Sequence, residues 1–260
     1  MRSYLAITDR ELKSYFVSPI AYIVIALFVL ITGIFFYLII SNFVELSFRY
    51  TMQAQYYRMA APKLNVNSMA IRPLMHNMSL FALFWLPLLT MRLIAEEKKM
   101  GTIELLFTSP IRTTELVLAK FTASTTVFVA MLTLTFLYMV SLFFFGNPEL
   151  GPILTGYLGL LLIGMSYIAF GLFFSSITDN QIIAAVATFA FILFFWSIGW
   201  MSGFVGPGLG SFLEKISLIN HFDDFAKGVI DLGNVVYYLS VTFFGIFLSY
   251  LALESKKWRL

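Results

Sequence analysis

Residues 116–145 read LVLAKFTASTTVFVAMLTLTFLYMVSLFFF, a run whose single charge is Lys120. About 20 consecutive, mostly apolar residues suffice to cross the hydrocarbon of a bilayer, where each backbone amide must find its partner within its own helix. Five further runs of the same kind lie around it, at roughly 20–40, 74–94, 153–174, 182–200 and 235–253. The expected fold is therefore all-α and integral to a membrane, a single domain over 1–260 with six transmembrane helices. What remains between the runs is too short to house a soluble domain.

The composition agrees. The chain is 60% apolar, 18% aromatic and 12% charged, whereas a soluble domain carries roughly a quarter charged residues. The absence of cysteine excludes disulfides, thiolate metal sites and thiol catalysis. Polar residues precede the first run and no small-residue cleavage pattern follows it, so it reads as a retained helix rather than a signal peptide. The basic pI needs no nucleic-acid partner, because loops that orient a membrane protein already use Lys and Arg.

Placing the N-terminus in the cytoplasm puts Arg2, Arg10, Lys13, Arg92, Lys98, Lys99, Arg112, Lys120, Lys256, Lys257 and Arg259 inside. It leaves Arg49, Arg58, Lys63, Arg72, Lys215 and Lys227 outside. Eleven against six favours both termini inside.

Ahead of the first run, Thr8 and Glu11 have capping-box spacing with Ile7 and Leu12 as a staple, which predicts a helix starting near Asp9. Leu12, Tyr15 and Phe16 share one of its faces. That suits an interfacial helix within 1–18, ending before Pro19. Residues 41–73 read as a long outer connection whose aromatics pack at the membrane surface. Residues 201–234 are apolar for an external loop: Phe212, Leu213, Ile216 and Ile219 repeat at helical spacing, as do Phe222, Phe225, Val229 and Ile230. They predict a re-entrant helical hairpin, with Gly206, Pro207 and Gly208 as its buried hinge.

Several patterns resemble sites without having their context. The glycines of GPGLGS (206–211) have no preceding strand and no following Lys-Ser/Thr, so they do not cradle phosphate. Gly199 and Gly203 are spaced for close helix contact, or simply loosen a helix end. His221, Asp223 and Asp224 read as a solvated helix start rather than a metal site. The interiors of the six runs hold no acid or base, since Arg92 and Lys120 lie near ends from which long side chains snorkel. A self-sufficient ion-coupled transporter is thereby disfavoured, and no catalytic constellation stands at membrane depth. Energy would enter from a partner.

Between the second and third runs, residues 95–115 crowd Glu96, Glu97, Lys98, Lys99, Glu104, Arg112 and Glu115 into one connection. Gly101 breaks the charged extension, Thr102 caps a short helix, and Ile103, Leu106 and Phe107 line one face. Pro110 ends that helix, and Thr113 caps the next with Glu115 in its first turn. The apolar face fits lipid headgroups and a groove on a soluble partner equally well.

The segment PLLTMRLIAEEKKMGTIELLFTSPIRTTELVLAKF (87–121) resembles the signature of the ABC type-2 transporter permeases, in which E-E-x-x-x-G-T-x-E-x-L joins the second and third of six spans. ELKSYFVSPIAYIVIALFVLITGIFF (11–36) is more narrowly similar to the permease of the gliding-motility-associated ABC complex. The resemblance implies a permease subunit, in the main an exporter, in a bacterial inner membrane. It implies a cytoplasmic coupling helix at 102–108 touching a separate ATPase, with transmission through Glu96, Glu97, Gly101, Thr102, Ile103, Glu104, Leu105, Leu106, Phe107 and Pro110. Two permeases and two ATPases would make the working unit, with the substrate path near the first, second and fifth spans. ATP and magnesium would sit in the ATPase, with no cofactor or metal held by this chain. A non-transporting scaffold and a secondary transporter are the competing readings.

Overall fold

In a computed structural model, the described residues are 2–58, 64–108, 111–146 and 148–257; the side chains of Arg2, Ile20, Leu105, Leu106, Phe107, Phe145 and Pro207 fall outside the description, as does Pro110 altogether. The described chain is helical throughout. Its elements are α1 (Arg2–Val17), α2 (Pro19–Tyr57), a π-helical turn (Asn67–Ile71), α3 (Arg72–Thr90), α4 (Ala95–Lys99), α5 (Ile103–Thr108), α6 (Thr113–Phe145), α7 (Leu150–Ile177), α8 (Gln181–Ser197), a 3-10 segment (Ile198–Phe204), α9 (Pro207–Ile216), α10 (Leu218–Lys227) and α11 (Leu232–Lys257). Six stretches are long and apolar enough to cross a membrane.

The helix α7 is the axis of the bundle. It packs against α3, α6, α8, α10 and α11, and 72% of its span is buried, against 17% for α2 at the periphery. Inside a bilayer, lipid is as apolar as leucine, so helices associate through close packing of small residues rather than through hydrophobic expulsion. Here a Cβ on Gly164 would lie 2.1 Å from the Phe128 ring, and one on Gly171 would lie 2.0 Å from Thr90 Oγ1. Those two glycines bring α7 onto α6 and α3.

Several expectations fail, the first three for local reasons. Residues 41–57 are not a loop, because α2 continues unbroken for 39 residues to Tyr57. No Gly or Pro interrupts this extension, Glu45 and Arg49 pair one turn apart, and the next Pro is Pro62. Thr8 and Glu11 do not form a capping box. Helix α1 starts at Arg2, and the Thr8 hydroxyl donates to the Tyr4 carbonyl a turn earlier. Nor do Gly206, Pro207 and Gly208 make a buried hinge. Gly206 is an exposed N-cap, Pro207 occupies the first turn of α9, and Gly208 is open to its surroundings, as suits a ring whose missing N–H is an orphan there anyway.

Two short helices, α9 and α10, follow the 3-10 segment. Leu218, Ile219, Phe222 and Phe225 of α10 are buried, largely on α7. Gly199 meets this pair closely, since a Cβ there would lie 2.6 Å from Ser217 Oγ, whereas Gly203 faces open space. His221 is not a solvated helix start. It stacks on Tyr237 at 3.8 Å, its Nε2 donates to the Lys215 carbonyl, and its Nδ1 lies 2.7 Å from Asn234 Oδ1.

Candidate functional site at the charged end of the bundle

At one end of the bundle, α1, α4, α5, the start of α6, the turn after α7 and the end of α11 converge. Helix α3 stops at Thr90, past Pro87, whose ring supplies no amide to the ladder. Ser175 of α7 repairs the break: its Oγ accepts from the Ile94 and Ala95 amides and donates to the Met91 carbonyl, each at 3.0 Å. Orphan backbone groups at a helix break need such partners when buried. The single turn α4 is thus seated on α7.

Its far end is closed by a Schellman motif: the Gly101 amide reaches the Lys98 carbonyl and the Thr102 amide the Glu97 carbonyl. Gly101 has φ of +71°, which glycine adopts at no steric cost. The Thr102 hydroxyl donates backward to the Glu97 carbonyl, so it closes α4 rather than capping α5. Beyond it Ile103 is buried and Glu104 exposed. Thr113 is likewise no cap; Arg112 holds the cap position, and Thr113 donates to Glu254 of α11 at 2.7 Å.

Three of the four charges on α4, those of Glu96, Glu97 and Lys98, turn inward, whereas Lys99 is exposed. Lys120, 1% exposed, places its ammonium 2.9 Å from both Glu11 Oε1 and Glu97 Oε1. Arg10 Nη2 touches the same two oxygens at 2.9 Å. Two acids and two bases from α1, α4 and α6 therefore form one neutral cluster, as burial of charge requires. Glu97 Oε2 is buried without a partner. Burial pushes the Glu11 carboxyl up, but the nearby Lys120 and Arg10 outweigh it and hold the group below its ordinary value. The expectation that Lys120 snorkels to the interface is overturned, because an acid on α1 and another on α4 meet it inside the protein.

Adjacent charges are similarly engaged. Arg92 contacts Glu96 at 2.8 and 3.2 Å and donates to Ser18 Oγ at the foot of α2. Lys98 donates to the Ser176 carbonyl and lies 3.7 Å from Asp179, which Lys256 also approaches at 3.7 Å. On α1, Leu12 packs at the core's edge while Phe16 is exposed. Tyr4 donates to Thr122 at 3.0 Å, and Tyr15 donates to the Leu89 carbonyl and sits 3.0 Å from Ser124. Burial raises the Tyr15 hydroxyl well above its ordinary value. Among the residues singled out from sequence, Glu11, Glu96, Glu97, Gly101, Thr102 and Ile103 come together here. Arg10, Lys120, Arg92, Ser18 and Ser175 were missed, and the one available signal was Lys120 itself, a lone base in an apolar run.

At the opposite end, Arg72 Nη2 grips both oxygens of Asp223 at 2.8 and 3.0 Å, joined by His76 and Lys227. This latch ties α3 to α10. Between the ends, an apolar cavity of about 560 Å³ opens between α2, α3 and α8, lined by Ile31, Phe81, Phe84, Trp85 and Phe189.

Six spans in one bundle, with a densely ion-paired end that gathers the roots of its helices, define a multi-pass membrane protein. The chain belongs to the ABC-2 family of transporter proteins, whose family model matches residues 5–253. It is also 27% identical over 141 residues to the "Probable multidrug ABC transporter permease YbhR" of Escherichia coli K12, and equally to its counterpart in strain O157:H7. Those matches cover 52% of this chain and 37% of the relatives' length, so the chain spans well under half of each.

Proposed function

We propose that this chain is the membrane-spanning permease subunit of an ATP-driven ABC exporter, related to the gliding-motility-associated permeases and working with a separate ATPase dimer and a second permease. It sits in a bacterial inner membrane with α1, α4, α5 and the end of α11 in the cytoplasm and α9–α10 dipping back from outside. Family membership supports the class, and the direction is argued from the likeness to a permease named for multidrug transport. ATP and magnesium belong to the partner ATPase.

The observation that carries the mechanism is the Glu11–Lys120–Glu97–Arg10 cluster. Closure of the ATPase dimer on ATP displaces α5 (residues 103–108), which meets the partner through Glu104; the sequence pattern assigns Leu105, Leu106, Phe107 and Pro110 to the same contact. The turn at Gly101, where glycine supplies the backbone freedom, passes the displacement to α4. From there Glu97 carries it to α1 and α6, Glu96 through Arg92 to the foot of α2, and the Ser175 seat to α7. The apolar cavity between the first, second and fifth spans then changes shape, exposing cargo to the other side.

The test is reconstitution of the chain with its ATPase in liposomes. Glu104→Lys and Gly101→Pro should abolish stimulation of ATP hydrolysis while leaving insertion and co-purification intact. Unchanged stimulation in both variants, or transport without ATP, would overturn the reading.

A further inference from the structure

A second cavity, of about 460 Å³, lies at the end of the bundle away from α4, between α3, the 3-10 segment and α10. It is independent of the cluster around Lys120 and of the apolar cavity. Its walls combine two indoles, Trp196 and Trp200, set edge to face at 4.9 Å, with the amides of Asn77 and Asn220 and the edge of Asp223. Trp196 is nearly buried, whereas Trp200 is 64% exposed and leaves much of its ring surface free. Neither Asn77 nor Asn220 carries a side-chain hydrogen bond among the described residues.

Charge restricts what such a cavity can hold. All the acceptor capacity of the Asp223 carboxylate is taken, by Arg72 on both oxygens, His76 at 3.1 Å and Lys227 at 2.6 Å. Lys227 also lies 3.8 Å from Asp224, so the surrounding charges balance. A cationic ligand would have to displace Arg72 or Lys227, and an anionic one would lie against Asp223. A neutral ligand disturbs nothing. The two free amides each offer a donor and an acceptor, the pairing that a hydroxyl also offers. Indole faces accept the flat C–H side of a ring, and the volume is at the lower end of the range for small-molecule sites, enough for one or two rings.

We propose that this cavity binds an uncharged polyhydroxylated ring, the chemistry shared by a free saccharide and the sugar head of a glycolipid. The amides of Asn77 and Asn220 take the hydroxyl rim, and the exposed indole of Trp200 takes the C–H face.

The test uses the full chain in nanodiscs and reads tryptophan emission. One arm titrates methyl glucoside into discs of plain phospholipid; the other compares plain discs with discs doped with glucosyl diacylglycerol. A saturable response to methyl glucoside assigns a soluble saccharide, and a response confined to the doped discs assigns a lipid-borne head; either supports the proposal. Asn220→Ala, which removes no hydrogen bond from the fold, should weaken the response about tenfold, the loss of roughly 1.4 kcal/mol, and Trp200→Ala should do the same with the melting temperature held. No saturable response in either arm, an unshifted midpoint in Asn220→Ala, or preferential binding of choline or inorganic phosphate would overturn it.

Discussion

At the scale of single residues, Lys120 is the side chain on which the charged end depends. Taking an ammonium out of water costs several kcal/mol, and the pairings with Glu11 and Glu97 offset that cost only while all partners are present. Lys120→Met leaves two buried carboxylates sharing Arg10, and should destabilise the protein by about 3–5 kcal/mol, read by thermal unfolding in detergent. The pH dependence has a definite sign. Because the folded-state pKa of Glu11 lies below its unfolded value, its contribution is complete above the ordinary carboxylate range and is lost as pH falls through the depressed folded value. Melting temperature should therefore drop on acidification below about pH 4, and less steeply in Glu11→Gln than in the wild type. The partnership was illegible in the sequence, because a lone base near the end of an apolar run looks the same whether it snorkels or meets an acid 109 residues away.

At the scale of elements, the connection between the second and third spans works through its turn. Open space surrounds the position of a Cβ on Gly101, so the constraint there is the backbone alone. Gly101→Ala should cost about 1 kcal/mol, the penalty of the left-handed conformation, and Gly101→Asn less, measured by thermal unfolding. The break, the short helix and the exposed Glu104 could be read in advance, since glycine punctuation and apolar spacing are local signals. The capping assignments for Thr8, Thr102 and Thr113 could not. Each hydroxyl found a competing partner, at Tyr4, Glu97 and Glu254, that the local pattern does not encode. The extension of α2 past Ile40 was misread for the opposite reason: polarity rises there without any helix breaker.

At the scale of the whole molecule, the six spans were legible because bilayer thickness imposes a length that few other structures need. Their arrangement around α7 was not, because glycine at close contacts carries no address for its partner helix. The two ends of the bundle differ in chemistry, and the cysteine-free chain lets each be probed without background labelling. With Lys99 and Lys215 replaced singly by Cys, an impermeant maleimide added to intact spheroplasts should label position 215 and leave 99 unlabelled until the membrane is opened. The reverse pattern would invert the orientation.

Helix α2 gives this geometry a mechanical side. Thirty-nine residues at about 1.5 Å each make a rod roughly 58 Å long, nearly twice the hydrocarbon thickness. Its foot adjoins Ser18, held by Arg92, so a tilt of about 10° at that pivot would swing the far tip by roughly 10 Å. Under the proposed mechanism, a small adjustment at one hydrogen bond at the foot of α2 would be geared up into a much larger displacement at its tip.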